Sequence, residues 1–552
     1  MTIVALASTA ACQADGNGNH SVGEATLSGA GAGTAGDGGP ATDGATNAPA
    51  STTAGADSTD DGTVFDLGQA TDSDGDGPSV DECKVHEGRH DVLDCIDDAP
   101  PDSFDPVVEW EWTPLGADIR SGVIPLVANL TDDNGDSVID LCDTPDVVVI
   151  AGPGNATAPD LGHLYVVDGG TGALKFTQDT DLAGYGSPAL GDIDGDGIPE
   201  IVAITRAGGI VVFEETGVIK WEWTAGVVGT RSAVSIANVD NARAPEIIVE
   251  RFVIDAGGNT VFESPDGWGW AYSTTFAIDL DGDSDLEIIF PRAAYHLDGS
   301  EYYYLAALPR DGMVQAADLD GDGLPEVLVT NENGFTIVEH DGTIQPGNQD
   351  LQPTGDGPAH ADVWRRPAAI HDFDADGEAE FSLSSAAHYS VFEVAPVSVL
   401  WTTDVLDQGG IAGGTAFDFL GDGLADAMYA DEHNLYVFDE VGAPLFEVPH
   451  SSSTYAEYPV VADIDNDGSA EILVVSNEGG AGGDHPTLQA IGHVDNLWIQ
   501  ARRIWNQHTY HVSNVREDGT IPTVEPHHWE QLNTFRTQAQ IEGGTICQPA
   551  PG

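Results

Sequence analysis

Lysine is almost missing from this 552-residue chain: it occurs three times, and with arginine it makes 17 basic side chains against 93 acidic ones. The formal charge of −76 repels phosphate backbones and anionic headgroups. That excludes nucleic acid and anionic membrane as electrostatic partners. Helical periodicity is also scarce, and no apolar run is long enough to cross a bilayer as a helix. Enzyme signatures are thin, with no G-x-S-x-G, no P-loop and no Rossmann glycine pattern. Cysteine occurs five times, without a C-x-x-C pair or a Cys/His zinc spacing.

What is abundant is acid in a fixed phrase. Asp192-Ile-Asp194-Gly-Asp196-Gly-Ile-Pro-Glu200 puts carboxylates at relative positions 1, 3, 5 and 9, and an apolar run, Ile201–Ile204, follows at once. In an extended segment these charges would repel one another. Bent around a hard cation they become its ligands, because calcium takes six to eight oxygens and Gly197 permits the sharp turn. The offsets are those of an EF-hand loop, but a β run follows in place of a helix.

The phrase returns complete at Asp279/Asp281/Asp283/Glu287, Asp318/Asp320/Asp322/Glu326, Asp372/Asp374/Asp376/Glu380 and Asp463/Asp465/Asp467/Glu471. A further copy, Asp132/Asn134/Asp136/Asp140, carries an insertion that leaves Asp146 as an alternative last ligand. Two copies are degraded: Asn238/Asp240/Ala242/Glu246 lacks the third acid, and Asp418/Leu420/Asp422/Asp426 lacks the second. The eight copies recur at a mean step of about 47 residues. Eight bound calcium ions would bring the charge from −76 to −60. A solvated acidic surface explains most of the unpatterned carboxylates, but not one phrase repeated eight times.

Each repeat unit reads as four short strands. After the loop come Glu200–Thr205, Ile210–Glu214 and Val218–Trp223, with matching outer pairs at Leu164–Asp168 with Ala173–Thr177 and Asn434–Asp439 with Pro444–Val448. Four strands in a 40–50-residue unit form the blade of a β-propeller. The predicted fold is therefore all-β, with a propeller over 106–500. Eight loops imply eight blades, or seven if one degraded copy is an insertion. Val107-Val-Glu-Trp-Glu-Trp112 matches Val218-Ile-Lys-Trp-Glu-Trp223 but has no loop before it. It is expected to supply the outer strand of the last blade and so close the ring.

The phrase D-x-D-G-D-G-x-x-E leading into a strand resembles the FG-GAP/VCBS repeats of integrin α-subunits and bacterial surface proteins. The resemblance implies a propeller with Ca2+ in its loops, and it implies little about activity, since such propellers serve adhesion, scaffolding and catalysis alike. Leu164-Tyr-Val-Val-Asp168-Gly-Gly-Thr-Gly172 resembles the repeats of quinoprotein propellers, although Phe176 stands where their Trp is expected. Some polysaccharide lyases share the eight-bladed calcium-loop plan. The expected function is a surface binding, adhesion or scaffold module, with a lyase-like or quinoprotein-like enzyme as the alternative. The expected partner is a protein or glycan at the cell surface, met by a monomer.

The termini are of another kind. Residues 1–12 resemble the end of a bacterial lipoprotein signal with Cys12 as the acylated residue, although no basic residue precedes the run. Residues 13–80, rich in Gly, Ala, Thr, Ser and Asp, lack the apolar content to offset ordering and read as a disordered linker. The implied location is extracellular or anchored at the outer membrane, ahead of periplasmic. In the small segment 81–105, Cys83 is expected to pair locally with Cys95, leaving Cys142 for Cys547, though four cysteines allow three connectivities. An even set of paired cysteines suits an oxidising compartment. The tail 501–552 carries Arg502, Arg503, Arg536, His508, His511, His527 and His528 among aromatics. It is expected to pack on the propeller with its arginines against the acidic rim, in preference to a His metal site or a sugar-binding shelf.

Overall fold

In the computed structural model the described residues are 83–548, apart from 86–92, 98, 101–102, 154–159, 243, 266–271, 332–333, 346–365, 386, 408–410, 478–484 and 543–544. The expected signal, Cys12 and linker lie outside them.

The chain forms an eight-bladed propeller. Blade 1 is Leu126–Ala128, Asp146–Ala151, Leu161–Asp168 and Leu174–Ala183; blade 2 is Ala189–Gly191, Glu200–Ile204, Ile210–Phe213 and Ile219–Trp223. Blade 3 (Val234–Glu263), blade 4 (Phe276–Tyr304), blade 6 (Ala369–Asp404) and blade 7 (Gly414–Pro449) repeat the plan. Blade 5 has three strands between Met313 and Val338, with a single bridge from Val338 to Ile344 beyond them. Blade 8 takes its inner three strands from Val460–Ala462, Glu471–Val475 and Leu488–His493, and its outer strand from Pro106–Trp112. The ring therefore closes as expected, by pairing early chain with late chain. Trp110 of that strand donates to the Gly169 carbonyl of blade 1 at 2.7 Å, sealing the junction.

Burial explains the residue pattern. Second strands are covered on both faces and read as unbroken apolar runs: Glu200–Ile204 and Asp146–Ala151 are buried throughout. Outer strands have one wet face and alternate, as Pro106–Trp112 does. Among the described residues one short helix occurs, His528–Gln531, and no helix is long and apolar enough to cross a membrane.

The cysteine pairing differs from expectation. Cys83 bonds Cys142, and Cys95 bonds Cys547, with Cα separations of 4.9 and 5.1 Å. The cause is long-range strand pairing. Leu93–Asp94 lies parallel to the last strand, with Leu93 opposite Cys547, while Leu141 N donates to the Cys83 carbonyl at 3.1 Å. Removing the Cys95–Cys547 link by paired Ser substitutions frees a closure spanning 452 residues. The urea midpoint should fall by the equivalent of about 2–5 kcal/mol.

The tail does more than pack on one face. It runs through the centre of the ring and touches the inner strand of every blade. Trp505 exchanges backbone hydrogen bonds with Val127 (3.0 Å each way), and Asn506 O accepts from Leu190 N at 2.7 Å. Gln507 accepts from Ile236 N, Phe535 packs against Phe276 and pairs with Ile370, and His528 Nε2 lies 3.0 Å from Ala316 O. Gln538 N donates to Ala416 O of blade 7 at 3.4 Å, and its side-chain amide to Val461 O of blade 8 at 2.8 Å. Inner strands present unpaired backbone groups to the channel; the tail satisfies them. The expected pairing of its arginines with the acidic rim is largely replaced. Arg502 and Arg536 donate to carbonyls, and Arg503 pairs with Glu517 of the tail itself at 2.8 Å.

Candidate functional site: eight acidic corners

Each loop between a first and a second strand folds on its own side chains. The first Asp of the phrase accepts two backbone N–H groups: Asp192 from Gly195 (2.6 Å) and Gly197 (2.9 Å), Asp318 from Gly321 (2.8 Å) and Gly323 (2.9 Å). The final Glu reaches back to the second residue: Glu200 to Ile193, Glu287 to Leu280, Glu326 to Leu319, Glu380 to Phe373 and Glu471 to Ile464, all at 2.7–2.9 Å. Position 6 has φ near +90° (Gly197, Gly323, Gly377, Gly468), a conformation only glycine adopts without cost; Ser284 takes it in blade 4 at +77°.

These bonds leave oxygens over. Three sets converge, with one oxygen from each residue within 4.8 Å of the others: Asp192, Asp194 and Glu200; Asp279, Asp281 and Glu287; Asp318, Asp320 and Glu326. The second and third Asp of the phrase also accept from the backbone two places on. Asp196, Asp283, Asp322, Asp376 and Asp467 are all exposed. Each turns Oδ1 back to the backbone two places on. Asp196 accepts from Ile198 at 3.0 Å, Asp283 from Asp285, Asp322 from Leu324, Asp376 from Glu378 and Asp467 from Ser469, these four at 2.9 Å. The physical reason is local: a short Asp side chain next to a tight turn caps that turn before it reaches inward. Spacing puts four acids on an equal footing, and in these three corners the first Asp, the second Asp and the final Glu have oxygens lying together.

Several of the converging oxygens lack a donor. Glu326 Oε1, Glu380 Oε1 and Asp374 Oδ1 are buried with no hydrogen-bond partner. Glu287 Oε1 has only the His296 ring, at 3.0 Å. Burial, then the neighbouring aspartates, pushes Glu287 up to about 8 and Glu326 and Glu380 up to about 9. A buried carboxylate oxygen without a donor is costly. The donor set is all oxygen, on a flexible turn, and fits a hard divalent cation such as calcium. Such an ion would be held by the first Asp, the second Asp and the final Glu, with the third Asp able to offer only the oxygen its turn leaves free.

The remaining corners vary. In the first copy, Asp132, Asn134 and Asp136 make a separate turn, with Asp132 accepting from Gly135 and Ser137. That turn is closed by Asp143, buried and accepting from Asp133 and Asn134, a residue the spacing did not single out. Asp140 accepts from Cys142 N at 3.0 Å. Asp146 stands where Glu200 stands in blade 2, opposite Ala128 as Glu200 is opposite Gly191, and accepts from Leu130 N at 3.1 Å. In blade 3, Asn238 turns its amide to Ala242 O, while Glu246 keeps the reach to Val239 N. In blade 7, Asp418 accepts from Gly421 and Gly423 as the complete copies do, and Asp422 from Leu424. Burial, then Asp418, holds the Asp426 carboxyl well above its usual range.

Residues 418–474, which run from the blade 7 corner into blade 8, match the model of the FG-GAP-like repeat. The chain is an eight-bladed propeller that carries an FG-GAP-like repeat at 418–474. No curated protein sequence matches it. Among solved structures it is similar to the Vibrio cholerae biofilm matrix protein Bap1, at 19% identity and TM-score 0.67, covering 81% of this chain and 100% of that one. It is also similar to a rhamnogalacturonan lyase of Bacillus licheniformis (16% identity, TM-score 0.49, 82% and 83% covered). A quinohemoprotein alcohol dehydrogenase of Comamonas testosteroni follows (11% identity, TM-score 0.47, 70% and 76% covered). These likenesses concern the fold.

A second feature lies at the other ends of the inner strands, where the chain enters them. Tyr185, Arg231, Tyr272 and Tyr455 precede the inner strands of blades 2, 3, 4 and 8. The Arg231 guanidinium lies 5.3, 5.5 and 5.6 Å from the ring centres of Tyr185, Tyr272 and Tyr455, and donates to Tyr272 Oη at 2.6 Å. Asp160 stands 3.4 Å away. Nothing in the sequence spacing marks these four residues, since each comes from a different repeat.

Proposed function

We propose that this protein is an extracellular binding module: a calcium-stiffened propeller that displays a fixed surface to a glycan or protein partner. The observation that carries the reading is the filled axis. Trp505, His508, Phe535 and Arg536 are fully buried there, so partner contact falls to the faces and rims. Two disulfides fit an oxidising, exported setting. The likeness to a biofilm matrix protein over most of the chain supports a matrix or surface role. The half-buried Arg231 among three tyrosines offers an aromatic, cationic shelf suited to an acidic sugar.

Incubation with acidic pectin-type polysaccharides separates this from the enzyme reading. Retention on the polymer without chain cleavage, reduced about tenfold or more by Tyr272→Ala with Tyr455→Ala, is the expected result, a loss of about 1.4 kcal/mol or more. Cleavage of the polymer would replace the binding module by a lyase.

A further inference from the structure

In seven blades the pairing of third and fourth strands slips by one residue at the same place. The slip leaves out Lys175, Lys220 and Glu109 in blades 1, 2 and 8, and Val261, Tyr302, Leu400 and Leu445 in blades 3, 4, 6 and 7. A bulge of this kind re-aims its side chain. Where the residue is lysine, it meets the acidic corner of its own blade. Lys220 Nζ lies 2.5 Å from Asp194 Oδ2, 2.9 Å from Glu200 Oε1 and 2.9 Å from Glu214 Oε2. Lys175 bonds Asp133 and lies 2.9 Å from Asp168. In blade 6, where the bulge residue is Leu400, Glu380 Oε1 is an orphan; in blade 2 the same atom of Glu200 is the one Lys220 holds.

We propose that the bulge residue of the fourth strand sets the cation demand of a corner: Lys175 and Lys220 are tethered ammonium ions that replace a divalent ion in blades 1 and 2. The proposal rests on the reading that the corners take calcium. An ammonium is a compact charge with three donors, enough to satisfy three converging carboxylates. Being covalently held, it loses no translational freedom on binding. A calcium ion entering the blade 2 corner must expel Lys220 or sit beside it, and like charges a few ångströms apart repel strongly in a half-buried site. Two of the three lysines in the chain are spent on this task.

The test is the calcium load of the intact chain by native mass spectrometry over stepped free calcium, for wild type, Lys220→Gln and Leu400→Lys, each checked for its β-sheet circular dichroism. Lys220→Gln is expected to carry one calcium more than wild type and Leu400→Lys one fewer. Equal loads in wild type, Lys220→Gln and Leu400→Lys, with calcium bound in all three, overturn the proposal and leave the corners as calcium sites. No calcium on any of them at millimolar concentration overturns both.

Discussion

In calcium-depleted buffer the thermal midpoint is expected to fall steadily as pH rises from about 5 to 9, and millimolar calcium should abolish the fall. The sign follows from the closing glutamates. Burial and nearby aspartates raise Glu287 to about 8 and Glu326 and Glu380 to about 9 from an ordinary 4.5. Without a cation, the folded chain keeps protons that the unfolded chain has released above 4.5, so unfolding gives up protons and rising pH favours it. The stability these groups contribute is whole below 4.5 and lost as pH passes through 8 to 9. A bound divalent ion takes the protons' place and removes the dependence. At free calcium ten times a dissociation constant of about 10⁻⁴ to 10⁻³ M, each corner adds about 1.4 kcal/mol. The four complete, lysine-free corners then add about 5–6 kcal/mol, within reach of the whole stability of an ordinary domain. Differential scanning calorimetry at pH 5, 7 and 9 reads this as a calcium-induced rise of about 6 °C at the upper end. A midpoint indifferent to both pH and calcium would remove the structural role from the corners.

Arg536→Met is expected to be the most damaging single change in the tail. The guanidinium is fully buried and meets no carboxylate among the described residues; burial draws it down to about 10. Its Nε donates to His508 O (3.1 Å), Nη1 to Gln315 Oε1 (2.7 Å) and Ala368 O (2.9 Å), and Nη2 to Val314 O (3.2 Å). Its own carbonyl accepts from Thr415 Oγ1 at 2.7 Å. One side chain thus joins blades 5 and 6 to the plug, and the backbone adds blade 7. Removing the fork leaves four acceptors in a dry channel, at about 1–3 kcal/mol for each that finds no new donor. A loss of about 3–5 kcal/mol in denaturant midpoint is expected, with early protease cleavage within 497–552. Arg536→Lys should recover only part of it, because an ammonium cannot span the planar fork. Equal stability of Lys and Arg at this position would mean that charge alone, without geometry, holds the plug.

Loss of calcium and loss of the plug should also be felt together, since the tail leans on the corners. Gly519 O accepts from Asp192 N, Asn533 Oδ1 from Asp318 N, and Gln500 donates to Asp463 Oδ2. His527 Nε2 lies 3.1 Å from Asp279 Oδ2. A corner that relaxed on losing a bound cation would move the first Asp, and with it the anchor of the plug.

The amino-acid sequence alone determined the blade. A corner is built within about ten residues, from side chains that bond their own backbone, so its acidic spacing and the β run after it are local facts, legible copy by copy. The count of eight and the closing role of Val107–Trp112 follow from the same local matches. How each acid divides its oxygens was not legible: Asp283, Asp322 and Asp376 also cap their own turns at the surface. Only the tertiary structure decided the rest, because the partners are far apart along the chain. Cys95 meets Cys547 through a parallel strand pair, Arg536 meets carbonyls of three regions, and Arg231 gathers tyrosines from three other repeats. Asp143 and the bulge position of Lys220 fall between these cases: their residue types are visible in the sequence, but only strand register, which no local pattern specifies to one residue, aims them at the corner.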